Sequence, residues 1–150
     1  MTTALVTGGA GLIGSHLVKA LLSEGKDVIV ADNLSRGTRK NLQGLNAILE
    51  EVDLIRPALC ESIFARYKID EVYHLAAFLG GVEFIHKFPV EAFNRNIRMN
   101  SNILECSQVY EIDKILFTST ACVYPVGKQV KPDSPPLREE DVFPLDPESG

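Results

Sequence analysis

Residues 118–125 read TSTACVYP and bring hydroxyls, a thiol and a phenol to the point where a run of strand-forming residues opens into a loop. A strand-end hydroxyl such as Thr120 can pass on a proton or cap the backbone. Cys122 carries a thiol whose ordinary pKa of about 8.5 allows proton exchange near neutrality, or it fills the core, as buried cysteines commonly do. A second group lies near the start of the chain. LVTGGAGLIGSHL spaces Gly8, Gly11 and Gly14 three residues apart, after an apolar strand-like run and at the opening of a helix-period segment. The first glycine permits a tight turn, the second lets backbone N–H groups approach a pyrophosphate, and the third lets helix and strand pack closely. Asp32 ends the next apolar run, where a carboxylate accepts from the hydroxyls of an adenosine ribose. Together they describe a dinucleotide cradle that favours NAD, because a 2′-phosphate would meet the Asp32 charge. Arg36 nearby keeps NADP as the lesser alternative. Asp53 could accept from the adenine amino group or cap a helix.

The elements that must position these groups follow from hydrophobic period. Apolar β-branched runs at residues 4–8, 27–32, 47–53, 71–77 and 114–120 predict strands, and helix-period segments lie between them, clearest at residues 11–25 and from Pro89 onward. Alternation of strand and helix predicts an α/β fold: a Rossmann-like, doubly wound parallel sheet with helices on both faces. After Tyr124 the periodicity stops, and six of the eight prolines fall between there and residue 150, as in a long loop or tail.

A chain of 150 residues with 45% hydrophobic content can bury the core of one domain. The net charge of −5 supplies no general attraction for nucleic acid or anionic lipid, so neither is an expected partner. The apolar N-terminus holds glycine turns, His16 and Lys19, unlike a signal peptide or membrane span. Cys60, Cys106 and Cys122 fit no zinc or disulfide spacing. No metal site is expected, and reduced thiols suit a cytoplasmic protein.

TGGAGLIGSHL, DNLSRG, VDL, HLAA, Asn96 and STACVYP, in this order and spacing, resemble the extended short-chain dehydrogenase/reductases, the NAD-dependent epimerase/dehydratase family. The resemblance implies a nucleotide-sugar enzyme in which bound NAD takes a hydride from a sugar carbon, usually carbon 4, and returns it. It implies cofactor contacts at Gly8, Gly11, Leu12, Ile13, Gly14, Asp32, Asn33, Asp53, Leu54, Leu75, Ala76, Ala77 and Asn96, with Asn96 anchoring the active-site backbone unless it is an ordinary polar helix-face residue, and with Thr120 as the strand-end hydroxyl of the proton relay, or a backbone cap. His74 reads as a strand residue near the nucleotide, His86 as solvated, and Cys60 and Cys106 as helix filler. Two branches, the GDP-mannose 3,5-epimerases and the GDP-fucose synthases, are similar in a double glycine after the fourth strand, here Gly80 and Gly81, and in a cysteine equivalent to Cys122. There Cys122 would be an acid/base at the epimerising carbon and the two glycines would admit sugar hydroxyls, whereas the local alternative is a loop tip. A GDP-sugar substrate is accordingly favoured over other nucleotide sugars, with an epimerase-reductase as the next reading and a non-catalytic NAD-binding module as the reading from another class.

The family's Tyr-x-x-x-Lys pair is not matched. Tyr110 and Lys114 precede Thr120, and Pro125 after Tyr124 stops Lys128 from lying one helical turn away. The resemblance therefore implies a NAD-binding Rossmann domain over residues 1–125, truncated after the fifth strand, and a proline-rich acidic loop over 126–150. The catalytic tyrosine and lysine, the remaining strands and a substrate domain are expected beyond residue 150. The 150-residue chain is expected to be inactive alone, and the full-length protein a homodimer.

Overall fold

The computed structural model describes residues 2–80, 84, 87–120, 123–128 and 135–142. The chain divides into two compact units, residues 1–117 and 118–150.

In the first unit five parallel strands, β1 (Thr3–Thr7), β2 (Asp27–Asp32), β3 (Ile48–Glu51), β4 (Glu71–His74) and β5 (Lys114–Phe117), form one sheet in the order β3-β2-β1-β4-β5. The helices are α1 (Leu12–Ser23), α2 (Pro57–Arg66) and α3 (Pro89–Val109). Proline opens both α2 and α3, where its missing N–H costs nothing. The expected parallel α/β sheet is therefore present.

Alternate side chains of the central strands feed two cores. Leu5, Ile29, Ala31 and Val72 meet Cys60, Ile63 and Phe64 of α2 and Met99, Ile103 and Cys106 of α3. Ala4, Val6, Val28, Val30 and Tyr73 meet Val18 and Leu21 of α1. Because both faces are covered, the strands read as continuous apolar runs rather than alternating ones. Cys60 and Cys106 are free, buried thiols within the first core, and burial pushes both pKa values up.

Three strands end earlier than their apolar runs suggest. β4 stops at His74, where the Leu75 N–H is shared between the Thr7 carbonyl and Thr7 Oγ1 and the Ala76 N–H turns to Thr7 Oγ1. β3 stops at Glu51, and Asp53 then accepts from the Ile55 N–H in a local turn. β5 stops at Phe117 rather than at Thr120.

The strand order reverses between β1 and β4, which opens a crevice at the carboxyl edge of the sheet. In the second unit, short 3-10 turns span Val126–Lys128 and Glu139–Val142, and Lys128 pairs with Asp141. Among the described residues, no helix is long and apolar enough to cross a membrane, and no three His, Cys, Asp or Glu groups gather as for a metal.

Candidate functional site

An open cleft lies at this reversal. It is walled by the ends of β1 to β4 and by α3. Gly8 and Gly11 follow β1. Asp32, Asn33 and Arg36 come from β2 and its loop, Asp53 and Leu54 from the β3 end, Leu75, Ala76, Ala77 and Phe78 from the β4 end, and Arg95 and Met99 from α3.

The glycine turn is close-packed. Gly8 has φ +68°, and a Cβ there would lie 2.9 Å from Ala76 Cα. A Cβ on Gly14 would lie 2.3 Å from the Gly8 carbonyl oxygen, so helix α1 can approach its own turn only without a side chain. Gly11 is the N-cap of α1. The first-turn N–H groups of Leu12, Ile13 and Gly14 lack intrahelical acceptors, as at every helix start, and supply a local positive end. The Leu12 and Ile13 side chains are 75% and 72% exposed and do not line the cleft; neither does Gly14.

Asp32 is buried and organises the turn. Its Oδ2 accepts the Ala10 N–H at 3.0 Å, and its Oδ1 accepts the Leu34 N–H at 2.8 Å, which holds Leu34 at φ 55°. A carboxylate offers about four acceptor positions, so each oxygen keeps one free for a ligand hydroxyl. Asn33 Oδ1 accepts the Ser35 N–H at 3.0 Å and shapes the same rim. Arg36 turns to the Phe84 ring, 5.5 Å from its centroid.

Asp53 faces the cleft, and Arg56, not Asp53, is the N-cap of α2. Arg95 Nη2 lies 3.4 Å from Asp53 Oδ2, while its guanidinium stacks 4.5 Å from the Phe78 centroid. Arg95 Nε is buried with no acceptor among the described residues.

Asn96 does not line the cleft. Its Oδ1 accepts the Phe78 N–H at 2.7 Å and its Nδ2 donates to the Phe78 carbonyl at 3.1 Å, so the side chain is spent on fixing the loop after β4. His74 is buried between Thr7 Oγ1 at 2.6 Å and Asn100 Oδ1 at 3.0 Å, and burial pushes its pKa down.

Of the sugar-facing residues expected from the sequence, Gly81 and Cys122 lie outside the described residues, as does His86. A Cβ on Gly80 would lie 2.3 Å from the Phe84 Cβ, so this position has a packing reason to be glycine. Thr120 belongs to the second unit, where its carbonyl accepts the Val123 N–H at 3.3 Å. Tyr110 is the C-cap of α3 and Lys114 opens β5, so neither member of that pair lies on a helix with the other.

Sequence reasoning missed Phe78, Arg95 and Met99. Arg95 and Met99 stand four residues apart on α3, close to the buried stripe of Ala92 and Ile103, and that spacing was the available signal.

A doubly wound parallel sheet, a glycine turn into the first helix and an acidic end to β2, all at one crevice, define the class: a Rossmann-type α/β domain. The chain belongs to the NAD dependent epimerase/dehydratase family, whose profile matches residues 4–149. It is 40% identical over 139 residues to the UDP-glucose 4-epimerase of Lacticaseibacillus casei, a match that covers 93% of this chain and 40% of that protein. It is 34% identical over 147 residues to the UDP-glucose 4-epimerase of Bacillus subtilis, covering 94% and 41%. Among solved structures, the Thermus thermophilus UDP-glucose 4-epimerase in complex with NAD superposes with a TM-score of 0.81 at 34% identity, covering 93% of this chain and 43% of that one. The Bifidobacterium longum UDP-glucose 4-epimerase in complex with NAD+ and UDP superposes with 0.82 at 34%, covering 97% and 43%. The chain thus spans about two fifths of the length of the curated relatives it matches.

Proposed function

We propose that this chain forms the NAD-binding part of a nucleotide-sugar epimerase whose substrate is a UDP-hexose. The observation that carries the reading is the cleft itself, in which the Gly8 turn, the Asp32 carboxylate and Asp53 face one space. The residues fit the cofactor. Gly8 and Gly11 line the cleft without side chains, the start of α1 favours a pyrophosphate, and Asp32 keeps acceptor capacity for a ribose diol. Asp53, held by Arg95, can accept from the adenine amino group, and Met99 and Leu54 supply apolar walls. Bound NAD would supply the hydride acceptor for carbon 4 of the sugar and the donor for its return.

The chain's own residues bind and orient. Leu75, Ala76 and Ala77 line the cleft, and Asn96 fixes the loop after β4 through Phe78. The sequence resemblance gives Thr120 the hydroxyl that would share a proton with a substrate oxygen. The names of the relatives support a UDP-hexose. A second reading, GDP-mannose-type 3,5-epimerisation with Cys122 as acid/base and Gly80 and Gly81 at the sugar, rests on the sequence pattern alone. A homodimer and a cytoplasmic location remain part of the proposal for the full-length protein.

Titrating the full-length protein with NAD and NADP tests the cofactor. Tighter NAD binding is expected, with the preference reduced in Asp32→Ala; equal wild-type affinities would remove the role given to Asp32. Turnover in heavy water separates the two substrates. Hydride return to carbon 4 of UDP-glucose incorporates no solvent deuterium, whereas acid/base epimerisation of GDP-mannose does, and Cys122→Ser should suppress that exchange by roughly 100-fold or more.

A further inference from the structure

Thr7 ends β1, His74 ends β4 and Asn100 lies on α3, and their side chains form one line beneath the cleft without lining it. Thr7 Oγ1 lies 2.6 Å from His74 Nδ1, and His74 Nε2 lies 3.0 Å from Asn100 Oδ1. The same Thr7 oxygen accepts the Ala76 N–H at 3.1 Å and, at 3.2 Å, the Leu75 N–H, which it shares with the Thr7 carbonyl, also at 3.2 Å. A hydroxyl has two lone pairs and one proton. With two backbone N–H groups already facing its lone pairs, it meets Nδ1 by donating. Nδ1 is therefore the bare nitrogen, and Nε2 carries the hydrogen that Asn100 Oδ1 accepts. In the opposite tautomer three donors would converge on one oxygen.

The two amides held by Thr7 belong to the cleft floor. Ala76 is also the residue that a Cβ on Gly8 would strike, so floor and glycine turn touch without slack. A small shift of Ala76 changes the room left at the turn. We propose that His74 and Asn100 are positioning residues for the cofactor cleft: Asn100 fixes the His74 tautomer, the tautomer fixes the direction of the Thr7 hydroxyl, and the hydroxyl holds Leu75 and Ala76 against Gly8. The part that concerns cofactor affinity rests on the proposed role of the cleft in binding NAD.

The test uses the full-length protein with 15N-labelled histidine. Ring-nitrogen shifts report the His74 tautomer, amide exchange reports Leu75 and Ala76, and titration with NAD reports the cleft, in wild type, Asn100→Leu, Thr7→Val and Thr7→Ser. The expected wild-type signature is a bare Nδ1 and a protonated Nε2. Asn100→Leu and Thr7→Val should each speed exchange at Leu75 and Ala76 by about tenfold and weaken NAD binding by roughly five- to tenfold, as for loss of one buried hydrogen bond. Thr7→Ser, which keeps the hydroxyl, should restore wild-type values. A wild-type histidine protonated on Nδ1, or folded Asn100→Leu protein with unchanged exchange and affinity, overturns the proposal. Should Asn100→Leu fail to fold, Asn100→Asp still offers an acceptor to Nε2–H and should keep slow exchange; fast exchange there overturns it equally. Wild-type protein that took up no NAD would sink the cofactor reading, while the tautomer and exchange arms would still decide the network.

Discussion

Gly14 shows how one missing Cβ decides between opposing effects. Alanine inside a helix is favoured over glycine by about 1 kcal/mol. Here, however, the added carbon would meet the Gly8 carbonyl oxygen at 2.3 Å, and that oxygen belongs to the backbone and cannot rotate away. The steric term wins, so Gly14→Ala should lower stability by about 2 kcal/mol or more, read from the urea midpoint at constant slope. His74 yields a second expectation. Burial holds its pKa below the ordinary 6.5, so on descending through 6.5 the unfolded chain takes up a proton that the folded chain refuses. Stability present above pH 6.5 is therefore lost as the pH falls below it. Glu71, lowered by its bond from Lys26, and Glu50, lowered by its bond from Tyr67, begin to lose their contributions only as the pH passes below the ordinary 4.5. The interval between these values isolates the histidine. The urea midpoint of wild type should decline across it, and His74→Gln should flatten the decline; parallel slopes in the two proteins would refute the assignment.

At the scale of the element, α3 is both a core helix and a cleft wall. Ile103 and Met99 face the sheet, Arg95 and Met99 face the cleft, and Asn102 donates to the Leu54 carbonyl at 2.7 Å, tying the helix to the loop after β3. Ile103 is fully buried among residues of three strands and a second helix, so Ile103→Ala should cost about 2–4 kcal/mol in a thermal or urea melt. The strands were legible because each central run has to satisfy two cores and is apolar throughout. β2 runs over Asp27–Asp32 as read, but the carboxyl end of β4 was not legible, since the Thr7 hydroxyl captures the Ala76 N–H across 69 positions of sequence. The site divides in the same way. Gly8, Gly11 and Gly14 act through a local turn, and they and Asp32 stood out by spacing. Arg95 reaches Asp53 over 42 positions and Asn100 reaches His74 over 26, and such pairings exist only once the helix has docked.

For the whole molecule, the telling feature is apolar surface exposed on β5 and on α3 of the first unit. β5 is an edge strand with Ile115, Leu116 and Phe117 all substantially exposed. On α3, Val90, Phe93, Ile97 and Leu104 recur at helical spacing and are exposed as well, Phe93 by 67%. An unpaired edge presents free N–H and C=O groups, and exposed apolar surface gains by leaving water, so the two features favour association of one chain with another. The 150-residue chain should accordingly self-associate in the micromolar range, seen as a concentration-dependent sedimentation coefficient. Leu116→Lys places a charge on the edge, where burying it against a second chain is costly, while its effect on the single chain should stay within about 0.5 kcal/mol because the side chain is already half in water. The variant should sediment as a monomer with a nearly unchanged melting temperature. Association that persists in Leu116→Lys but disappears in Phe93→Lys would assign the contact to α3 instead of the sheet edge, and a wild-type chain that stayed monomeric throughout the range would refute both.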